Sequence, residues 1–271
     1  MPSHHLLCFL FFLLSFRSVH SAFPAICESS NQCGNIPIKY PFWTASGASV
    51  HCGYPGLGVR CSYVDEPPTI FLRGDAYFVA EINYVEETLT LVDFDVADRR
   101  CPRASHNLTI NSLPLGYNSA DVNLTFFFNC SAHPWAPVPA RAIDCLQSGD
   151  KQSYVFMDMS PDEAAAVRQA WGCEEAVVAA VKRTEVTVAN VVEEFAGAMS
   201  EGFVLEWAAA KECGACEHSG GRCAFNQNEQ LLCFCEDGSS HTDGSFCKGR
   251  IEFCVYVRQS PRLLLSMLVT S

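Results

Sequence analysis

The chain has 271 residues, 49% of them hydrophobic, with 16 cysteines and a formal net charge of −12. That composition suits a globular protein and excludes a disordered one. The length fits one large domain or two smaller ones, and the acidic balance rules out attraction of a polyanion through the overall field.

In chain order, Leu6–Phe16 is an eleven-residue apolar run followed by Arg-Ser-Val-His-Ser-Ala, with small residues at Ser21 and Ala22. The run is too short to cross a bilayer and lacks the polar face of an amphipathic helix, so residues 1–22 read as a secretory signal peptide cleaved near Ala22. His4 and His5 stand where Lys or Arg is usual. Export favours disulfides. Cys8 leaves with the signal. Fourteen cysteines then remain up to position 247 and could form seven bridges: Cys27, Cys33, Cys52, Cys61, Cys101, Cys130, Cys145, Cys173, Cys213, Cys216, Cys223, Cys233, Cys235 and Cys247. Cys254 is the odd one out, in an atypical tail at 251–271.

Residues 23–145 form a first, cysteine-rich β unit. Thr69–Phe94 holds three β-branched or aromatic runs, split by Arg73-Gly74-Asp75 and by Glu86-Glu87, which predict short antiparallel strands. In Asn-Leu-Thr-Phe-Phe-Phe-Asn-Cys the alternation puts Leu124, Phe126 and Phe128 on one face, predicting a half-buried strand. Three sequons, at Asn107, Asn123 and Asn129, are expected to place glycan acceptors on the surface of an exported chain. Asp93, Asp95 and Asp98 could offer oxygen ligands to calcium, but without EF-hand spacing they read as a polar strand end. His133–Ile143 carries three closely spaced prolines and reads as a connector.

Residues 146–250 form the second unit. Ser160, Pro161 and Glu163 predict an N-cap, an N1 proline and a capping box opening a helix. Glu174–Val188 is open between helix and strand by periodicity. Asn190–Phe203 predicts a short helix ending near Gly202. A cysteine-rich module occupies 213–247. Its CxxC and CxC could hold zinc, run redox chemistry or staple a fold. The CxC strains a zinc chelate loop, the βαβ setting with a helix N-terminus expected of a redox CxxC is missing, and export favours oxidation, so structural disulfides are the favoured reading and no metal is assigned. No protease, hydrolase, phosphate-loop, dinucleotide or kinase signature occurs, so the chain is expected to be non-catalytic and without a cofactor.

The spacing of the last six cysteines resembles an EGF-like module, and that resemblance implies Cys213–Cys223, Cys216–Cys233 and Cys235–Cys247. Two longer stretches resemble the extracellular region of plant wall-associated receptor-like kinases, the leaf-rust-resistance type in particular. Cys33–Trp43 (CGNIPIKYPFW) with Cys52–Cys61 looks like the start of their galacturonan-binding domain, and Gly202–Cys235 looks like their C-terminal wall-associated module. The fold implied is mainly β with small helices, a disulfide-rich two-module extracellular protein. For Glu174–Arg183 the resemblance implies a strand. The family continues into a transmembrane helix and a serine/threonine kinase, whereas residues 248–271 do not look like its juxtamembrane sequence. The expectation is a secreted ectodomain or a truncated gene model of a membrane receptor kinase.

The resemblance implies a cell-wall location, with full-length relatives at the plasma membrane. It also implies binding of pectin, as homogalacturonan or oligogalacturonides, and no nucleic acid. Recognition of a peptide or protein partner, including a co-receptor, is the alternative. A polyuronate needs cations for its carboxylates and flat apolar surface for its sugar faces. Residues 27–145 carry 7 Lys and Arg against 12 Asp and Glu, a net of −5, so binding must rest on a local basic patch or on calcium bridges. The candidates are Arg99, Arg100 and Arg103 around Cys101, with Lys39, Arg60 and Arg73, and Tyr40 and Trp43 as sugar platforms. A Tyr-Pro-Phe-Trp run is more often core packing.

Overall fold

The structure is a computed structural model, described here for residues 31–44, 50–61, 67–96, 100–131, 141–208, 210–242 and 247. The expected signal peptide, Cys27, Asp98, Arg99, residues 132–140 of the connector, Cys254 and the 251–271 tail lie outside these residues.

The described residues are mostly strands. A hairpin joins β1 (Asn31–Cys33) and β2 (Ile36–Ile38). The main sheet has seven strands: β3 (Trp43–Thr44), β5 (Gly58–Arg60), β6 (Thr69–Leu72), β7 (Asp75–Asn83), β8 (Thr88–Asp93), β13 (Phe203–Trp207) and β9 (Leu115–Tyr117), in that order across the sheet. A three-stranded sheet sets β10 (Asp121–Cys130) between β11 (Gln152–Met157) and β12 (Glu175–Lys182). A four-stranded sheet runs β16 (Ser240–His241), β15 (Leu231–Phe234), β14 (Arg222–Asn226) and β4 (Val50–His51). Three helices complete the described fold: α1 (Pro161–Ala170), α2 (Val191–Glu201) and α3 (Gly214–His218).

The three antiparallel strands read from Thr69–Phe94 are β6, β7 and β8. A bulge between Val79 and Glu81 shifts the register of β7. It moves the inward series from Tyr77 and Val79 to Ile82 and keeps all three on the core side. Leu89, Leu91 and Leu205 complete this core and are fully buried. β13 slots between β8 and β9, with Phe203 opposite Leu91. The main sheet thus takes strands from both sides of residue 145.

β10 departs from the half-buried strand expected of it. Leu124, Phe126 and Phe128 pack in the core that includes Phe195 and Met199 of α2, with Phe126 5.7 Å from Phe195. Phe127 is equally buried on the opposite face, against Trp171, Tyr154 and Phe156. A central strand covered on both faces needs apolar residues at successive positions. Glu175–Lys182 is a strand, β12, because it completes this sheet beside β10.

Helix α1 starts on the complete capping box of Ser160 and Glu163. Helix α2 stops at Gly202, whose φ is 75°. A Cβ there would lie 2.0 Å from the Leu91 carbonyl, so the close approach to β8 requires glycine.

Disulfides close the described structure. Cys33–Cys61 spans the N-terminal strands, Cys101–Cys145 closes the long loop around β9 and β10, and Cys130–Cys173 ties the end of β10 to the segment before β12. Cys52 is also disulfide-bonded.

Candidate functional site

The main sheet turns one face to the core and leaves part of the other open. Arg73 and Gly74 link β6 to β7 with φ of 57° and 108°, and Leu72 sits opposite Asp75. Positive φ at both central residues matches the strand twist of a two-residue hairpin. From that turn, alternation buries Ile70 and Leu72 and turns Phe71 outward, 40% exposed.

Phe71 faces Ala76, whose carbonyl accepts the Phe94 amide at 3.1 Å. Thr69 faces Phe78, which in turn faces Val92. Phe71, Phe78 and Phe94 therefore share the outer face across about 10 Å, two strand spacings. Phe94 is 53% exposed, and its ring centroid is 5.0 Å from that of Phe78. Arg60, opposite Thr69, holds its guanidinium 4.7 Å from the Phe71 centroid, in cation–π contact. Among the described residues, neither Arg60 nor Arg73 has a carboxylate within ion-pair distance.

Among the other sequence candidates, Arg103, Lys39, Trp43 and Tyr40 make their contacts elsewhere. Arg103 donates to Glu175 at 2.6 Å and stacks 4.3 Å over Phe128. Arg100 is exposed. Lys39 sets its Nζ 5.6 Å from the Tyr84 centroid. Trp43 donates to the Tyr54 carbonyl at 3.0 Å, meets Phe225 edge to face at 5.3 Å, and lies so close over Gly58 that a Cβ there would be 2.6 Å from its ring. Tyr40 donates its hydroxyl to Glu217, which also accepts from Tyr54 at 2.8 Å. Burial first, and Glu217 next, push both tyrosine pKa values well above their ordinary value. Tyr40 and Trp43 thus hold the cysteine module against the N-terminal strands.

Within that module, β14 and β15 place Cys223 opposite Cys233. The bridges are Cys213–Cys223, Cys216–Cys233 and Cys235–Cys247, the EGF-like order. A Cβ on Gly221 would lie 2.7 to 2.8 Å from the sulfurs of Cys216, Cys233 and Cys247. Cys233, Cys235 and Cys247 lie close enough together to suggest a metal group, but each sulfur is oxidised in a bridge and cannot serve as a thiolate ligand.

The acidic residues after β8 serve the turn. Asp93 accepts the Asp95 amide at 2.8 Å, and Asp95 accepts the Ser105 hydroxyl at 2.5 Å. His106 lies 3.4 Å from Asp93, 3.6 Å from Asp75 and 2.9 Å from the Tyr77 hydroxyl. Burial raises the Asp93 pKa above its ordinary value. These groups occupy the core side of the sheet, opposite the phenylalanine face.

Asn107 and Asn123 are exposed and line a cleft of about 350 Å³ with Asn118, Asp121 and Asp158. Asn107 spends its Oδ1 on the Val178 amide, at 2.7 Å. Asn129 is half-buried, and its Nδ2 donates to Glu174 at 2.7 Å.

Of the residues at this corner, the sequence reading named Arg60 and Arg73 and did not name Phe71, Phe78 or Phe94. The available signal was alternation: the strand pattern that buries Ile70 and Leu72 places Phe71 where a polar residue is ordinary.

A mainly β chain with six disulfides among its described residues belongs to the disulfide-rich extracellular class. Residues 27–93 match the wall-associated receptor kinase galacturonan-binding family, and residues 144–238 match the wall-associated receptor kinase C-terminal family. The chain belongs with the ectodomains of the wall-associated receptor kinases. It is similar to leaf rust 10 disease-resistance locus receptor-like protein kinase-like 1.2 of Arabidopsis thaliana, at 29% identity over 78% of this chain and 32% of that protein. It is also similar to the like 2.1 protein of that plant, at 28% identity over 80% of this chain and 35% of that one. The chain thus spans about a third of the length of these relatives. No solved structure matches it. Among the described residues, no helix is long and apolar enough to cross a membrane.

Proposed function

We propose that this chain is a non-catalytic ectodomain that binds pectin, as homogalacturonan or its oligomers, in the plant cell wall. The observation that carries this reading is the galacturonan-binding family match, which spans β1 to β8. That span also bears Arg60 on β5 and Arg73 on the β6–β7 turn, both free of carboxylate partners among the described residues. The net charge of −12 makes binding depend on such a local site. The C-terminal module braces the first unit through Tyr40, Tyr54 and Glu217 and need not touch the polymer.

The test is retention of the oxidised, secreted chain on immobilised homogalacturonan, with and without a calcium chelator. Retention that survives chelation and fades with salt is expected, because the cations come from the protein. No retention in either buffer overturns the reading. Retention only with calcium overturns the arginine-based mode of binding.

A further inference from the structure

We propose that the outer face formed by Phe71, Phe78 and Phe94, edged by Arg60 and Arg73, is the surface on which the galacturonan chain lies. This rests on the binding reading above and gives it a site, an orientation and a preference for unesterified polymer.

Three observations converge. Phe71 and Phe94 are 40% and 53% exposed, although neighbouring Ile70 and Leu72 are buried to 0% and 1%. The strands bury their apolar residues on the inner face and still set large aromatics outward. Second, among the described residues Arg60 and Arg73 have no carboxylate within ion-pair distance. Arg103, Arg141, Lys151 and Arg183 are held in ion pairs elsewhere. Among the described residues, the carboxylates of Asp75 and Asp93 point to His106 on the opposite side of the sheet. Third, Arg60, Phe71, Arg73 and Phe78 fall within the matched residues 27–93, and Phe94 is the next residue on.

The chemistry fits a polyuronate. A galacturonate ring has an apolar C–H face that can lie on an aromatic ring, and a carboxylate at its edge. With one sugar face on the Phe78–Phe94 pair and the next sugar against the part of Phe71 that Arg60 leaves exposed, carboxylates project toward the sheet corner. The Arg60 guanidinium is already held over Phe71, so little side-chain freedom is lost when it meets a carboxylate. Arg73, on the adjoining turn, is placed for a second carboxylate. Methyl esterification removes the charge and leaves only the stacking. No acidic cluster on this face is needed to bridge calcium.

The experiment measures binding of decagalacturonide, in chelator, to the full secreted chain and its variants. Phe71→Ala combined with Phe94→Ala removes two exposed rings without hollowing the core. Arg60→Glu reverses the charge, and Val188→Ser, at a residue 81% exposed, is the surface control. The double variant is expected to bind about tenfold more weakly. The charge reversal is expected to weaken binding by at least about tenfold and to flatten the salt dependence, and the control to match wild type. Fully methyl-esterified oligomer is expected to bind wild type about as weakly as decagalacturonide binds the Arg60→Glu chain. If wild type binds and both variants bind equally well, this face is the wrong one while the galacturonan reading stands. If wild type does not bind, both fall.

Discussion

Asp121→Asn is expected to stabilise the protein at neutral pH and to do little in mild acid. Asp121 is 9% exposed where β10 meets the start of β13, and its two carboxylate oxygens accept the Val204 amide at 2.9 and 3.2 Å. Burial pushes its pKa up from 3.8 to about 6, against the smaller downward pull of the Val204 amide and of Lys182. The folded protein therefore holds this proton more tightly than the unfolded chain. Stability falls as pH rises from about 4 to about 6 and is level above that. Counted in full, the rise is a cost of about 3 kcal/mol at neutral pH. Solvent still reaches part of the carboxylate, so about 1 kcal/mol is a fair net figure. Asparagine keeps an oxygen for the Val204 amide and cannot ionise. The melting temperature at pH 7 should rise by about 2–4 °C, with almost no change at pH 4. Thermal unfolding of both proteins at the two pH values decides the matter. An equal shift at both, or a lower melting temperature at pH 7, would refute the assignment of a raised carboxyl pKa.

Three further outcomes follow from local structure. Thr125 is 1% exposed and its hydroxyl has no hydrogen-bond partner among the described residues, so Thr125→Val should raise the urea midpoint by an amount worth about 1 kcal/mol; a lower midpoint would mean the hydroxyl is satisfied. Gly221→Ala forces a methyl group against three cystine sulfurs and should destabilise by about 1–3 kcal/mol and raise the free-thiol content of secreted protein, read by thiol labelling; wild-type stability and labelling would contradict this packing. Peptide mapping should find glycans at Asn107 and Asn123 and none at Asn129, whose amide nitrogen is held by Glu174; full occupancy at Asn129 would break that account.

Much of the fold was legible because local signals agreed with tertiary context. Ser160, Pro161 and Glu163 specify a helix start from neighbouring groups alone, and the structure shows the complete capping box. Arg73-Gly74 marks a hairpin because the turn needs positive φ. Where burial depends on distant segments, the sequence is silent. Nothing within Asp121–Cys130 says that α2 covers one face of the strand and Trp171 the other, so its outward-looking residues are core. Glu175–Lys182 is apolar at intervals compatible with helix or strand, and pairing with β10 decides it. The candidate site divides the same way. Arg60 and Arg73 were visible as cations, but Arg103 looked equally available until Glu175, 72 positions away, was seen to hold it. The phenylalanine face became visible only once strand register placed Phe71, Phe78 and Phe94 on one side of the sheet.

The proposed binding of galacturonan by the outer face of the main sheet is open to a direct measurement. Hydrogen–deuterium exchange of the oxidised chain, with and without saturating decagalacturonide, is the test. Added protection is expected at the strand ends and turns around residues 58–60, 69–78 and 92–94, with exchange unchanged in the cysteine module at 213–247. Protection centred on that module, or on the cleft beside Asn107 and Asn123, would contradict it.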